Sequence, residues 1–127
     1  MIGYLTVGTN DFEQGIAFYD ALFSALGIKR LWTVENMAGW GVSRDQTAFC
    51  LAIPFDGQEA TIGNGSMVAL KVKDRESVKR VHEKALALGG TNEGDPAPRG
   101  DHGVYAAYFR DLDGNKLNAY VPAIKVQ

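Results

Sequence analysis

Two histidines are the acid–base candidates of this chain. His82, in Arg80-Val81-His82-Glu83, falls beside the apolar stripe of a predicted helix and reads as a packed or helix-edge side chain. His102 lies in the polar stretch Pro98-Arg99-Gly100-Asp101-His102-Gly103, just ahead of a predicted strand. A histidine there can serve as a general base near neutral pH, and Arg99 beside it can bind an anionic or carbonyl group. Cys50 is the single cysteine and sits in an apolar run. No basic neighbour is placed to lower its pKa, so it reads as a small buried hydrophobe rather than a nucleophile. Asp111 and Asp113 belong to the tight-turn sequence Asp111-Leu112-Asp113-Gly114-Asn115. Gly57, Gly63 and Gly65 follow a strand but open no helix, so they do not form a phosphate-binding loop. Trp40, between Gly39 and Gly41, has few large sequence neighbours to pack on it and is expected to line an opening.

The elements that position these residues follow from hydrophobic spacing. Residues 2–9 alternate, with Leu5 and Val7 on one face and Tyr4 and Thr6 on the other, as in a half-buried strand. Asn10 with Glu13 three residues on matches a capping box. Ile16, Tyr19, Phe23 and Leu26 then recur at helical spacing, widened by Phe18 and Leu22, until Gly27. Strand-like runs follow at 28–35, 39–43 and 47–54. After a polar, glycine-containing stretch the pattern restarts with a strand at 66–73. Asp74 caps a second helix with the stripe Val78, Val81, Ala85 and Leu86, ended by Gly89-Gly90. Strands are predicted last at Val104–Arg110 and Lys116–Val121.

Composition narrows the function classes. The chain has 127 residues, 46% hydrophobic and 22% charged, as in an ordinary globular domain, and disorder is excluded. Thirteen Lys and Arg against fifteen Asp and Glu leave a charge of −2, which gives nucleic-acid binding no electrostatic support. No apolar run reaches the ~18–20 residues of a membrane span. The opening residues carry neither the basic nor the apolar region of a signal peptide, and one cysteine allows no internal disulfide. A cytoplasmic chain is expected.

The two halves repeat. Tyr4 and Asp11 are answered by Met67 and Asp74, both at an offset of 63 (67 − 4 and 74 − 11). The closing strands both end on proline, Pro54 and Pro122. Each half therefore reads as strand, helix, then about three strands. Neither half buries its sheet alone. The predicted fold is α+β: a single domain of two βαβββ modules, residues 1–56 and 66–127, joined by a linker at 57–65. Together they would form a curved mixed sheet of about eight strands, with helices on the convex side and a concave cleft. By parity Tyr4, Met67, Asn118 and Tyr120 face that cleft.

The opening Tyr4-Leu5-Thr6-Val7-Gly8-Thr9-Asn10-Asp11 with Ala17-Phe18-Tyr19, and the closing Tyr108-Phe109-Arg110-Asp111-Leu112-Asp113-Gly114-Asn115-Lys116-Leu117, resemble the vicinal oxygen chelate superfamily. That superfamily contains glyoxalase I, bleomycin-resistance proteins and extradiol dioxygenases. Leu112 stands where the family usually has proline. In metal-dependent members, four cleft-facing positions on the first and last strand of each module are usually His, Gln or Glu. The resemblance carries these positions onto Tyr4, Cys50, Met67 and Asn118. Such residues are not a ligand set for nickel, zinc or ferrous iron. Moving each by one residue brings no carboxylate or imidazole either.

The resemblance therefore implies a metal-independent, cofactor-free binding protein of the glyoxalase/bleomycin-resistance type. Its ligand is expected to be a small aromatic or amphipathic molecule, held by Tyr4, Trp40, Cys50, Met67, Asn118 and Tyr120 with Arg99 and His102 at the rim. A homodimer is the implied assembly. The alternative is a glyoxalase-like lyase or isomerase, with Tyr4 or Asn118 donating to an oxyanion and His102 as base. A third reading is a structural partner whose cleft is filled by its own side chains.

Overall fold

A computed structural model describes residues 1–123; the last four residues of the expected second module lie outside them. The element order is β1 (Tyr4–Gly8), α1 (Phe12–Ser24), β2 (Lys29–Thr33), β3 (Met37–Gly41), β4 (Ala48–Ala52), β5 (Val68–Lys71), α2 (Arg75–Ala87), β6 (Thr91–Arg99), β7 (Val104–Arg110) and β8 (Lys116–Val121). This is βαβββ twice. The eight strands form two four-stranded mixed sheets, ordered β1-β4-β3-β2 and β5-β8-β7-β6. In each, the first strand of the module runs parallel to the last, and the remaining pairs are antiparallel.

Each helix starts where a carboxylate can accept the free amides of its first turn. Asp11 accepts from the Gln14 amide at 3.1 Å and Asp74 from the Ser77 amide at 2.8 Å. The first cap is Asp11 rather than the expected Asn10. Asn10 is used elsewhere: its amide group exchanges two hydrogen bonds with the backbone of Ala60 in the linker, and its backbone N–H donates to Asp113. Both helices end near glycines at positive φ, Gly27 at 70° and Gly89 at 102°.

The helix stripes build the core. Phe18, Tyr19, Leu22 and Phe23 of α1 pack with Trp40, Phe49 and Leu51; Val78, Val81 and Ala85 of α2 pack with the second sheet's Phe109 and Leu117. The Tyr19 and Phe49 rings lie 4.6 Å apart between centroids. His82 is also buried, and its Nε2 lies 2.9 Å from Asn92 Oδ1, a satisfied core histidine as its sequence position suggested.

β6 is a strand where the sequence signalled a polar connection. It contains Pro96 and Pro98, which lack a backbone N–H, and its pairing with β7 shifts register on either side of Gly94. Those features belong to an edge strand and mask the alternation of an inner one. No helix among the described residues is long and apolar enough to cross a membrane.

Candidate functional site

Strand pairing divides each sheet into a helix-facing side and an outer side. On sheet one, Tyr4 pairs with Ala48 and Thr6 with Cys50, and Cys50 pairs in turn with Gly39. These residues share the outer side, because Leu5, Phe49, Leu51 and Trp40 occupy the core side. Tyr4 is well exposed, while Cys50 is fully buried. Burial raises the Cys50 thiol pKa, which keeps it protonated and unreactive.

Trp40, expected to line an opening, instead lies in the core. Trp40 is 1% exposed, in the core with Tyr19, Phe23 and Phe49, and its Nε1 donates to Asp20 at 2.9 Å. It does not share the outer face with Tyr4. Trp32 does: its ring lies where a Cβ on Gly39 would stand, 2.7 Å from the nearest ring atoms, so only glycine admits it.

On sheet two, Asn118 pairs with Ala69 and with Tyr108, and Tyr120 with Lys71 and Ala106. This set lies opposite the buried Leu117, Ala119 and Phe109, so Asn118 and Tyr120 are on the outer side as alternation predicted. Asn118 is only 6% exposed, and its Oδ1 is buried with no hydrogen-bond partner among the described residues. Met67 precedes β5 and is half exposed.

Arg99 and His102 are separated in role. Arg99 ends β6, lies over the Tyr108 ring at 5.1 Å from its centroid, and donates to the carbonyls of Asp95 and Ala106. His102 is exposed in the turn between β6 and β7, and no side-chain hydrogen bond orients it among the described residues. That turn supplies neither the shielding nor the positioning partner a catalytic base usually has. Sequence reasoning overlooked Tyr108 and Lys116, whose Nζ sits 5.5 Å from the Tyr108 ring centroid. The signal was present in β7, where Tyr108 and Arg110 flank the buried Phe109.

The four positions that would hold a metal do not form a donor set. Tyr4, Met67 and Asn118 offer a phenol, a thioether and a neutral amide, and Cys50 a buried thiol. No group of three or more His, Cys, Asp or Glu is arranged to hold an ion among the described residues. A divalent cation does not fit these side chains.

Comparison with known proteins agrees with this architecture. A family model described as the Glyoxalase/Bleomycin resistance protein/Dioxygenase superfamily matches residues 1–119. Among solved structures, a glyoxalase/bleomycin resistance protein from Albidiferax ferrireducens T118 is 35% identical, with 96% of this chain and 98% of that chain covered and a TM-score of 0.86. Hypothetical protein SA1046 from S. aureus is 27% identical over 96% of this chain and 93% of that one, at a TM-score of 0.72. A lactoylglutathione lyase from Agrobacterium tumefaciens, at 17% identity over 95% and 92% and a TM-score of 0.69, shares the fold. No curated protein matches.

Proposed function

Since the chain belongs to the Glyoxalase/Bleomycin resistance protein/Dioxygenase superfamily, we propose that it binds a small aromatic or amphipathic molecule without a metal ion. The observation that carries this reading is Asn118. A buried amide oxygen without a partner costs roughly 1–3 kcal/mol, and it lies at the centre of the outer face of sheet two. A ligand N–H or O–H that displaces the side chains covering Oδ1 would offset that cost. Tyr108 and Tyr120 beside it, with Tyr4 and Trp32 on sheet one, supply aromatic surface, the usual lining of a small-molecule site. The function then needs a shaped surface and no proton transfer, which accords with the exposed, unsupported His102.

The test is Asn118→Leu, which replaces the amide with an apolar group of similar size. Removing an unsatisfied polar group should leave the unliganded protein as stable or more stable by about 1 kcal/mol. The same variant should lose the thermal shift that a small-molecule library produces in the parent. A variant that keeps those shifts would overturn the assignment of Asn118.

A further inference from the structure

The outer face of sheet two carries more positive charge than its own carboxylates neutralise. Arg110 is paired with Glu93. Arg99 and Lys116 both lie over the Tyr108 ring, at 5.1 and 5.5 Å from its centroid. Neither has a carboxylate partner among the described residues. Among the described residues Arg99 donates only to backbone carbonyls. Directly across the strand pair from Tyr108 is Asn118, more than nine-tenths buried, with its Oδ1 unfilled.

A ring face attracts a cation but leaves its charge uncompensated. An oxyanion forms shorter and stronger hydrogen bonds with ammonium or guanidinium groups. Two such cations beside an amide with unused hydrogen-bonding capacity therefore favour one ligand chemistry over its neutral and cationic analogues. We propose that this face receives the carboxylate or phosphate of an amphipathic small molecule, with Lys116 and Arg99 meeting the oxyanion and Asn118 a neighbouring donor on the ligand. The inference rests on the binding reading above and adds to it the charge of the ligand.

The test follows the Asn118 side-chain amide by NMR in the 15N-labelled chain during titration with phenyl phosphate, benzoate, benzyl alcohol and benzylamine. The expected result is an Asn118 shift with at least one of the two anions, at about tenfold lower concentration than with benzyl alcohol, which is the size of one good charge-assisted contact. Comparison of phenyl phosphate with benzoate says which oxyanion is preferred. Lys116→Gln should remove most of that preference and Lys116→Arg restore it. Added salt should weaken the anions and not the alcohol, a readout that needs no variant. Benzylamine or benzyl alcohol binding as tightly as both anions overturns the charge inference while leaving the binding reading intact, as does a folded Lys116→Gln chain with its preference unchanged. An Asn118 amide that moves with none of the four probes overturns both.

Discussion

The Tyr19 hydroxyl donates to Asp111 Oδ2 at 2.6 Å, joining α1 of the first module to the β7–β8 turn of the second. Asp111 is 4% exposed, and its other oxygen accepts the amides of Asp113 and Asn115. Asn115 also donates through its side chain to Asp111 and to the carbonyl of Gly8 on β1. One carboxylate thus organises the turn and ties it to the other half of the chain.

Tyr19→Phe keeps the ring in the core and deletes the donor. It should destabilise the protein by about 1–3 kcal/mol, measured by urea unfolding. Burial, and then the charge of Asp111, raise the Tyr19 pKa well above 10.0. The folded state therefore holds this proton when the unfolded chain releases it. The contribution is complete below pH 10 and falls as pH rises beyond it. The alkaline loss of stability should be smaller in Tyr19→Phe than in the parent.

At the acid end the corresponding group is Asp74. Hydrogen bonds from the Ser77 hydroxyl and then the Ser77 amide lower its pKa below 3.8. Its stabilising effect is present above that value and is lost as pH falls through the lowered one. Asp74→Ala should flatten this part of the pH–stability curve in denaturant titrations between neutrality and pH 2.

The two tryptophans should separate cleanly. Trp40→Ala opens a cavity in the aromatic cluster and removes one of the two donors to Asp20, which keeps Arg30, at a cost of about 3–5 kcal/mol. Trp32→Ala should cost far less and instead alter the fluorescence response to ligand. Equal losses of stability would contradict their placement on opposite sides of sheet one.

Asn10→Ala removes both hydrogen bonds to Ala60. The linker should open locally with little change in global unfolding, so limited proteolysis within 56–66 should quicken. An unchanged cleavage rate would mean that other contacts hold it, such as Ala60 against Gly8.

The limits of sequence reading have particular causes. Strands β7 and β8 have their expected bounds, because two strand-prone runs on either side of the Asp113-Gly114-Asn115 turn mark a hairpin. Within β8, the two-residue period that sends Leu117 and Ala119 to the core puts Asn118 and Tyr120 on the outer side. Trp40 was misassigned because its flanking glycines show only what is near in sequence, whereas the Tyr19, Phe23 and Phe49 rings that pack on it come from α1 and β4. Its neighbour β2 contains a register shift between Arg30 and Trp32 that spacing cannot reveal. At α1, two adjacent residues were both able to cap, and long-range partners decided between them. The Tyr19–Asp111 bond spans 92 residues and leaves no local trace.

The prolines of β6 bear on how the molecule meets other chains. A sheet ends safely only if its last strand is a poor template for another. Pro96 and Pro98 remove two donors from this strand, and its irregular register with β7 bends whatever row of hydrogen bonds remains. A passing extended peptide would find few consecutive partners there. The feature that hid β6 from sequence inspection also protects the folded protein from edge-to-edge aggregation on that side.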